Sequence, residues 1–324
     1  MLGAAETLTP VPTKDRKVVR RWALPGDPRG VAVGQDGTIY VGLAASQSVI
    51  AVDPETGAIR QRVVLDSPDI ASTKELVTLR TNPERTRLYI ANGSDESAMI
   101  LSLPDLAVLR EITMEGETIR DAVPDPKGRY LYLLGRRVHV FDKDGRTELR
   151  TLDVPDPMAI AANATSLAVI ATEDFGSAKA TAVSLFDVKS FSQTAREPLQ
   201  TQDAIESAMF AAHGRSLLAF SRSGVFEKPT GTRGVMNSSR VCLPTGSGPQ
   251  VATLAGSETL AVYAERRCSV AGVMEATPRG VTPASLFGVD AYALAYHPKS
   301  GGVVATDRKG TLTIYSLPRP AFAR

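Results

Sequence analysis

The chain has 324 residues, 43% of them hydrophobic and 22% charged, an ordinary globular composition that excludes intrinsic disorder as its main state. Lys and Arg number 37 against 35 Asp and Glu, and this net charge of +2 is too even to point to nucleic acid or an anionic membrane as partner. No apolar run approaches the roughly 18 residues that a membrane-spanning helix needs.

In chain order, residues 1–16 read as an N-terminal tail. Met1-Leu2-Gly3-Ala4-Ala5-Glu6 has neither the basic start nor the apolar stretch of a signal peptide, although its small residues also suit the start of a mature secreted chain. Residues 17–24, with Val18, Val19 and the sole tryptophan, Trp22, form a strand that precedes any repeat. The first repeat follows: an inner strand from Gly30 to Val33, a second from Thr38 to Leu43, a third from Ser48 to Asp53 and an outer one from Ala58 to Leu65. Asp36-Gly37 and Pro54-Glu55-Thr56-Gly57 between them are turn chemistry, residues that tolerate the positive φ of tight hairpins.

That unit recurs. Turn anchors stand at Gly34, Pro83, Pro126, Ala162, Ala212, Ala255 and Pro298, and each is followed five residues later by an aliphatic residue opening a second strand: Ile39, Leu88, Leu131, Leu167, Leu217, Leu260 and Val303. The spacing of these anchors matches the four-stranded blade of a β-propeller. The last unit stops after Leu312-Thr313-Ile314-Tyr315 without an outer strand, and residues 17–24 supply one. The expectation is an all-β, single-domain, seven-bladed β-propeller of four-stranded antiparallel blades over residues 1–324, closed by the N-terminal strand. Closure of this kind protects sheet edges that an open array would expose. Residues 221–249 in the fifth unit read as an irregular insertion.

Ile39-Tyr40-Val41-Gly42 with Ser48-Val49-Ile50-Ala51-Val52-Asp53-Pro54-Glu55-Thr56-Gly57 resembles the repeat of bacterial YVTN-type propellers. Leu88-Tyr89-Ile90-Ala91-Asn92-Gly93 and Leu131-Tyr132-Leu133 with Val138-His139-Val140-Phe141-Asp142 carry the same theme over about the first 150 residues. Later units keep the phase and lose the letters. The resemblance implies the seven-bladed fold but no single activity, since similar propellers include lactonase-like proteins, surface proteins and subunits of periplasmic redox enzymes.

Phosphate-binding glycine loops, a nucleophile elbow, and paired His or Cys metal motifs are missing from the sequence. Asp142-Lys143-Asp144-Gly145 lacks the later ligands of a calcium loop and reads as a turn. His139 reads as a strand-surface or satisfied inter-blade residue, and His213 and His297 as turn polarity. Alignment on the anchors brings Arg29, Glu75, Arg120, Asp121, Asp156, Glu206, Gln250 and Asp290 to the mouth of the central channel. Of these, Arg29, Arg120, Asp121, Glu206, Gln250 and Asp290 are the candidate ligand-binding set, because charge focused in a cleft acts more strongly than on open surface.

Two functions follow as expectations. The first is a non-catalytic binding or scaffold protein that needs no cofactor and engages a protein partner or extended ligand through the mouth and the fifth-unit stretch, as part of a larger periplasmic complex. The second is a metal-dependent lactonase or lyase, in which Glu75, Asp121, Glu206 and Asp290 hold one calcium or magnesium ion as a Lewis acid. Cys242 and Cys268, if bonded, close a short loop with about 3 kcal/mol of stabilisation and place the protein in the periplasm or outside the cell. As free buried thiols they fit a cytoplasmic protein.

Overall fold

A computed structural model describes residues 6–11, 18–65, 76–92, 96–174, 179–199, 204–211, 214, 216–221, 224–229, 237–239, 251–256, 260–265, 270–277, 280–288, 291–307 and 309–316. All of its regular elements are strands. The chain opens with β1 (Thr9–Pro10) and β2 (Val18–Ala23), then lays down six four-stranded antiparallel sheets in succession. Blade 1 is β3 (Pro28–Val33), β4 (Ile39–Leu43), β5 (Ser48–Val52) and β6 (Ile59–Val64). Blade 2 is β7 (Leu76–Thr81), β8 (Arg87–Asn92), β9 (Ser97–Ser102) and β10 (Val108–Thr113). Blade 3 is β11 (Asp121–Pro124), β12 (Tyr130–Leu134), β13 (Val138–Asp142) and β14 (Glu148–Leu152). Blade 4 is β15 (Pro157–Ala162), β16 (Ser166–Asp174), β17 (Lys179–Asp187) and β18 (Gln193–Leu199).

Blade 5 is β19 (Ile205–Ala211), β20 (Ser216–Ser221), β21 (Gly224–Pro229) and β22 (Asn237–Ser239), so two strands lie within the stretch 221–249. Blade 6 is β23 (Val251–Gly256), β24 (Leu260–Glu265), β25 (Val270–Thr277) and β26 (Gly280–Gly288). Blade 7 takes β27 (Ala293–His297), β28 (Gly302–Thr306) and β29 (Thr311–Tyr315) from the C-terminal end, and β2 pairs antiparallel with β29, Trp22 opposite Leu312. The second strands begin within one residue of each expected position. Each inner strand touches the inner strand of the next blade, and β27 touches β3, which closes the ring.

The seventh sheet has five strands rather than four. β1 pairs with β2, and the segment then crosses to blade 1, where Thr7 bridges Ala58 and the Leu8 amide donates to the Gly57 carbonyl at 2.8 Å. The buried Leu8 side chain joins the core cluster between these blades. Residues 6–11, within the expected tail, thus brace the seam where the two ends of the chain meet.

The core lies between blades. On β4, Ile39, Val41 and Leu43 pack with Trp22 and Ile314 of blade 7, while Tyr40 packs with Leu88 and Ile90 of blade 2. On β8, Leu88 and Ile90 face blade 1 while Tyr89 and Ala91 face blade 3. A strand buried on both faces needs apolar residues at every position, which is why the second strands read as continuous aliphatic runs rather than alternating ones. Each such side chain contributes about 1.5–3 kcal/mol on burial.

Candidate functional site

The inner strands share a local irregularity at the channel mouth. In β3 the ladder steps from Pro28 opposite Leu43 to Gly30 opposite Gly42, leaving Arg29 as a bulge; the same shift leaves out Val77, Met158 and Glu206 in β7, β15 and β19. A bulge turns its extra residue out of the pleat. This is why β3 starts at Pro28, ahead of the expected Gly30. The Arg120 amide donates to the Leu134 carbonyl at 2.7 Å just before β11, and the Tyr292 amide to the Thr306 carbonyl at 2.5 Å just before β27. Arg29, Arg120, Glu206 and Tyr292 therefore stand at one level of the ring.

The arginines at this level and just below it stitch neighbouring blades together. Arg29 donates from Nε to the Asp27 carboxylate at 2.9 Å and from Nη1 to the Tyr292 hydroxyl at 2.5 Å, tying blade 1 to blade 7. Burial works against the Arg29 charge, but the Tyr292 and Asp27 contacts outweigh it and hold its pKa above the usual arginine value. Arg120 donates to the Gly135 carbonyl at 2.7 Å and to the Pro157 carbonyl of blade 4. Its pKa is lowered by burial, with Asp156 and Glu117 only partly offsetting the cost. Arg80 of β7 forks onto both oxygens of Asp121 on β11, at 2.8 and 2.6 Å.

Between blades 7 and 1 the mouth opens into a shallow depression of about 530 Å³ lined by Leu24, Gly26, Asp27, Arg29, Lys309 and Gly310. Gly26 and Gly310 sit there at φ of +97° and +77°, conformations that side-chain-bearing residues rarely adopt. This depression presents two cations and one carboxylate at the mouth.

Of the candidate ligand set, the structure brings Arg29, Arg120, Asp121 and Glu206 to the mouth region, while Gln250 and Asp290 lie outside the described residues. Of the candidate metal ligands, Glu75 and Asp290 lie outside them. Asp121 gives both oxygens to Arg80, and Glu206 is exposed at its bulge. Among the described residues no group of three His, Cys, Asp or Glu side chains is placed to share an ion. Cys242 and Cys268 are also outside the described residues. Arg80, Asp27 and Tyr292 were not in the sequence-derived set. Asp27 stands two residues before its bulge as Asp156 does before Met158, a phase signal that could have found it.

His139 is buried, with Nδ1 2.8 Å from Glu148 and Nε2 3.1 Å from Glu117, so it is a satisfied residue within blade 3. His297 ties blade 7 to the first turn of blade 1 through the Gly37 carbonyl at 3.2 Å. His213 is outside the described residues.

No family model matches the chain, and no curated protein matches its sequence. Solved structures do match its fold. It is similar to the Kuenenia stuttgartiensis hydrazine synthase structure at a TM-score of 0.72 and 13% identity, over 94% of this chain and 99% of that one. It is similar to a chain of a mitotic checkpoint complex at a TM-score of 0.71 and 13% identity, over 95% and 98%. Identities this low carry the propeller fold and nothing finer. Among the described residues no helix is long and apolar enough to cross a membrane.

Proposed function

We propose that this chain is a non-catalytic scaffold of the YVTN-type propeller kind that binds a protein partner through the channel mouth and the stretch 221–249, as a subunit of a larger periplasmic assembly. The observation that carries this reading is that, among the described residues at the mouth, Arg29, Arg120, Arg80 and Asp121 are committed to ties between blades. Arg29, Arg120 and the Arg80–Asp121 pair hold the rim rigid, and a rigid rim loses little entropy when a partner docks. One of the two structural neighbours is a chain of a mitotic checkpoint complex, which supports a propeller within an assembly without specifying its partner.

Co-purification from the native cells tests the reading, with the wild type beside Arg29→Glu and Lys309→Glu. A stoichiometric protein partner retained by the wild type and lost from both variants is expected. Equal recovery by all three, or one tightly held divalent ion per chain with turnover of a lactone, overturns it. The extracytoplasmic setting has its own check: thiol titration of the denatured, unreduced protein finds no free cysteine if Cys242 and Cys268 are bonded, and two free thiols contradict it.

A further inference from the structure

The outer strands carry a second set of bulges, and these face the rim rather than the channel. In β10 the ladder steps from Val108 opposite Leu101 to Arg110 opposite Ile100, leaving out Leu109. In β14 it steps past Leu149, and in β2 past Val19. These three residues are 51%, 49% and 55% exposed, among the most exposed large hydrophobics of the described chain. Val108, beside Leu109, is also 51% exposed. Blades 2 and 3 are neighbours, so Val108, Leu109 and Leu149 lie on adjacent rims.

Between those rims is a groove of about 330 Å³ lined by Arg87, Ile100, Leu109, Arg110, Asp144 and Arg146. Its walls are fixed. Gly145, at φ +65°, presses its turn onto blade 2 so closely that a Cβ there would meet Ile112 Cδ1 at 2.5 Å and Ile100 Cδ1 at 3.0 Å. Arg87 grips the same turn, at 3.1 Å to the Lys143 carbonyl and 2.6 Å to the Asp144 carboxylate. Three guanidiniums thus face a single carboxylate, and that carboxylate is taken by Arg87. Arg110 and Arg146 are exposed. The close contact from Arg87 holds the Asp144 carboxyl below its usual range, and Arg146 adds to that positive field. The neighbouring Glu148 is already bonded to His139 and Thr151.

We infer that this groove between blades 2 and 3 binds an extended acidic segment of a partner protein, with its carboxylates on Arg110 and Arg146, one aliphatic residue of the segment against Leu109 in the groove and another against Leu149 on the adjacent rim of blade 3. The volume takes a few side chains but not a helix, whose diameter is about 10 Å. An extended chain presents alternate side chains to opposite faces, which suits a groove that offers apolar contact and guanidinium together. Arginine forks recognise carboxylates in bidentate fashion, and their methylene stems add apolar surface. The site is remote from the channel mouth and does not depend on the reading given above.

Fluorescence anisotropy with a labelled decapeptide of alternating Glu and Leu tests this, beside a decapeptide of Glu alone and one of alternating Lys and Leu. The Glu-Leu peptide is expected to bind, more weakly as salt rises, and the Lys-Leu peptide not to bind. Arg110→Glu and Leu109→Ser, both at exposed positions and checked for an unchanged melting curve, should each weaken binding by about tenfold, while Arg129→Ala elsewhere on the ring should not. Failure to bind at millimolar peptide overturns the proposal. Equal binding of the all-Glu peptide with no effect of Leu109→Ser also overturns it, because the groove would then be a general polyanion site of the kind that nucleic acid or any anionic polymer fills.

Discussion

Arg80 and Asp121 form a two-pronged ion pair between the inner strands of blades 2 and 3, with Arg80 donating from Nε and Nη2 to the two oxygens of Asp121. Asp121 also accepts from the Ala122 amide at 2.9 Å, so its lone pairs are largely committed. Burial opposes the Arg80 charge, and Asp121 more than repays this, holding the Arg80 pKa above its usual value. The pair is a structural tie that lies where a sequence reading expects a ligand. Removing one member leaves the other charge poorly solvated, whereas removing both removes the problem.

Asp121→Ala and Arg80→Ala are each expected to cost about 2 kcal/mol of stability. The double variant should cost clearly less than the two together. Urea unfolding of the four proteins measures this coupling, and simple additivity of the two losses would count against the tie.

The turn of blade 1 is seated on the tryptophan of blade 7. Gly57 sits at φ +72°, and a Cβ there would lie 2.4 Å from Trp22 Nε1. Gly57→Ala therefore meets both a strained backbone and a collision, and about 2 kcal/mol or more should be lost. Trp22 is the only tryptophan, so its fluorescence reports the seam directly. A red-shifted emission and a lowered melting temperature are expected together; an unchanged spectrum with full stability would show that the ends of the ring are not held this way.

The ring was legible in the sequence because its core repeats. Ile39, Leu88 and Leu131 each open a strand buried on both faces, and that demand fixes an aliphatic at the same phase in blade after blade. The closing strand was legible for the same reason, since Trp22 and the missing outer strand of blade 7 call for each other. The mouth was only half legible. Phase alignment places Arg29, Arg120 and Glu206 at one level, but it cannot show that Arg80, two residues further along its strand than Thr78, reaches Asp121 across a blade boundary. The rim bulges were not legible at all. Leu109 and Leu149 look like ordinary outer-strand aliphatics until the register shift turns them outward.

His297 gives the fold a mild dependence on pH near neutrality. Its Nδ1 lies 2.9 Å from the Ser300 hydroxyl and its Nε2 donates to the Gly37 carbonyl, the arrangement of a neutral ring. Burial pulls its pKa below the ordinary 6.5, Arg85 and Lys299 add repulsion, and the Gly37 carbonyl only partly compensates. The unfolded chain gains a proton near 6.5 while the folded chain resists it, so this contribution is complete above that pH and declines as pH falls below it towards the lower folded pKa. Urea midpoints at about pH 7.5 and about pH 5.5 should differ, with the acidic one lower. His297→Asn should flatten that difference whatever its effect at neutral pH. An undiminished difference would locate the dependence elsewhere.

A second acid transition belongs to Asp53, in the turn that carries Gly57. Burial raises its pKa, but the amides of Thr56 and Glu55 and the guanidinium of Arg60 outweigh that and bring it down from 3.8 to about 2. A carboxylate with a depressed folded pKa stabilises the protein at every pH above its unfolded value and loses that contribution as pH falls through the folded one. The difference is about 2 kcal/mol at neutral pH, all of it lost between roughly pH 4 and pH 2. Asp53→Asn keeps an acceptor for the turn amides but loses the charge that Arg60 meets. It should lower stability at neutral pH and leave stability nearly unchanged at pH values where wild-type Asp53 is already protonated. Convergence of the wild-type and variant melting curves as pH falls towards about 2 is the expected result. Curves that remain parallel over that range would mean that Asp53 acts through the shape of the turn and not through its charge.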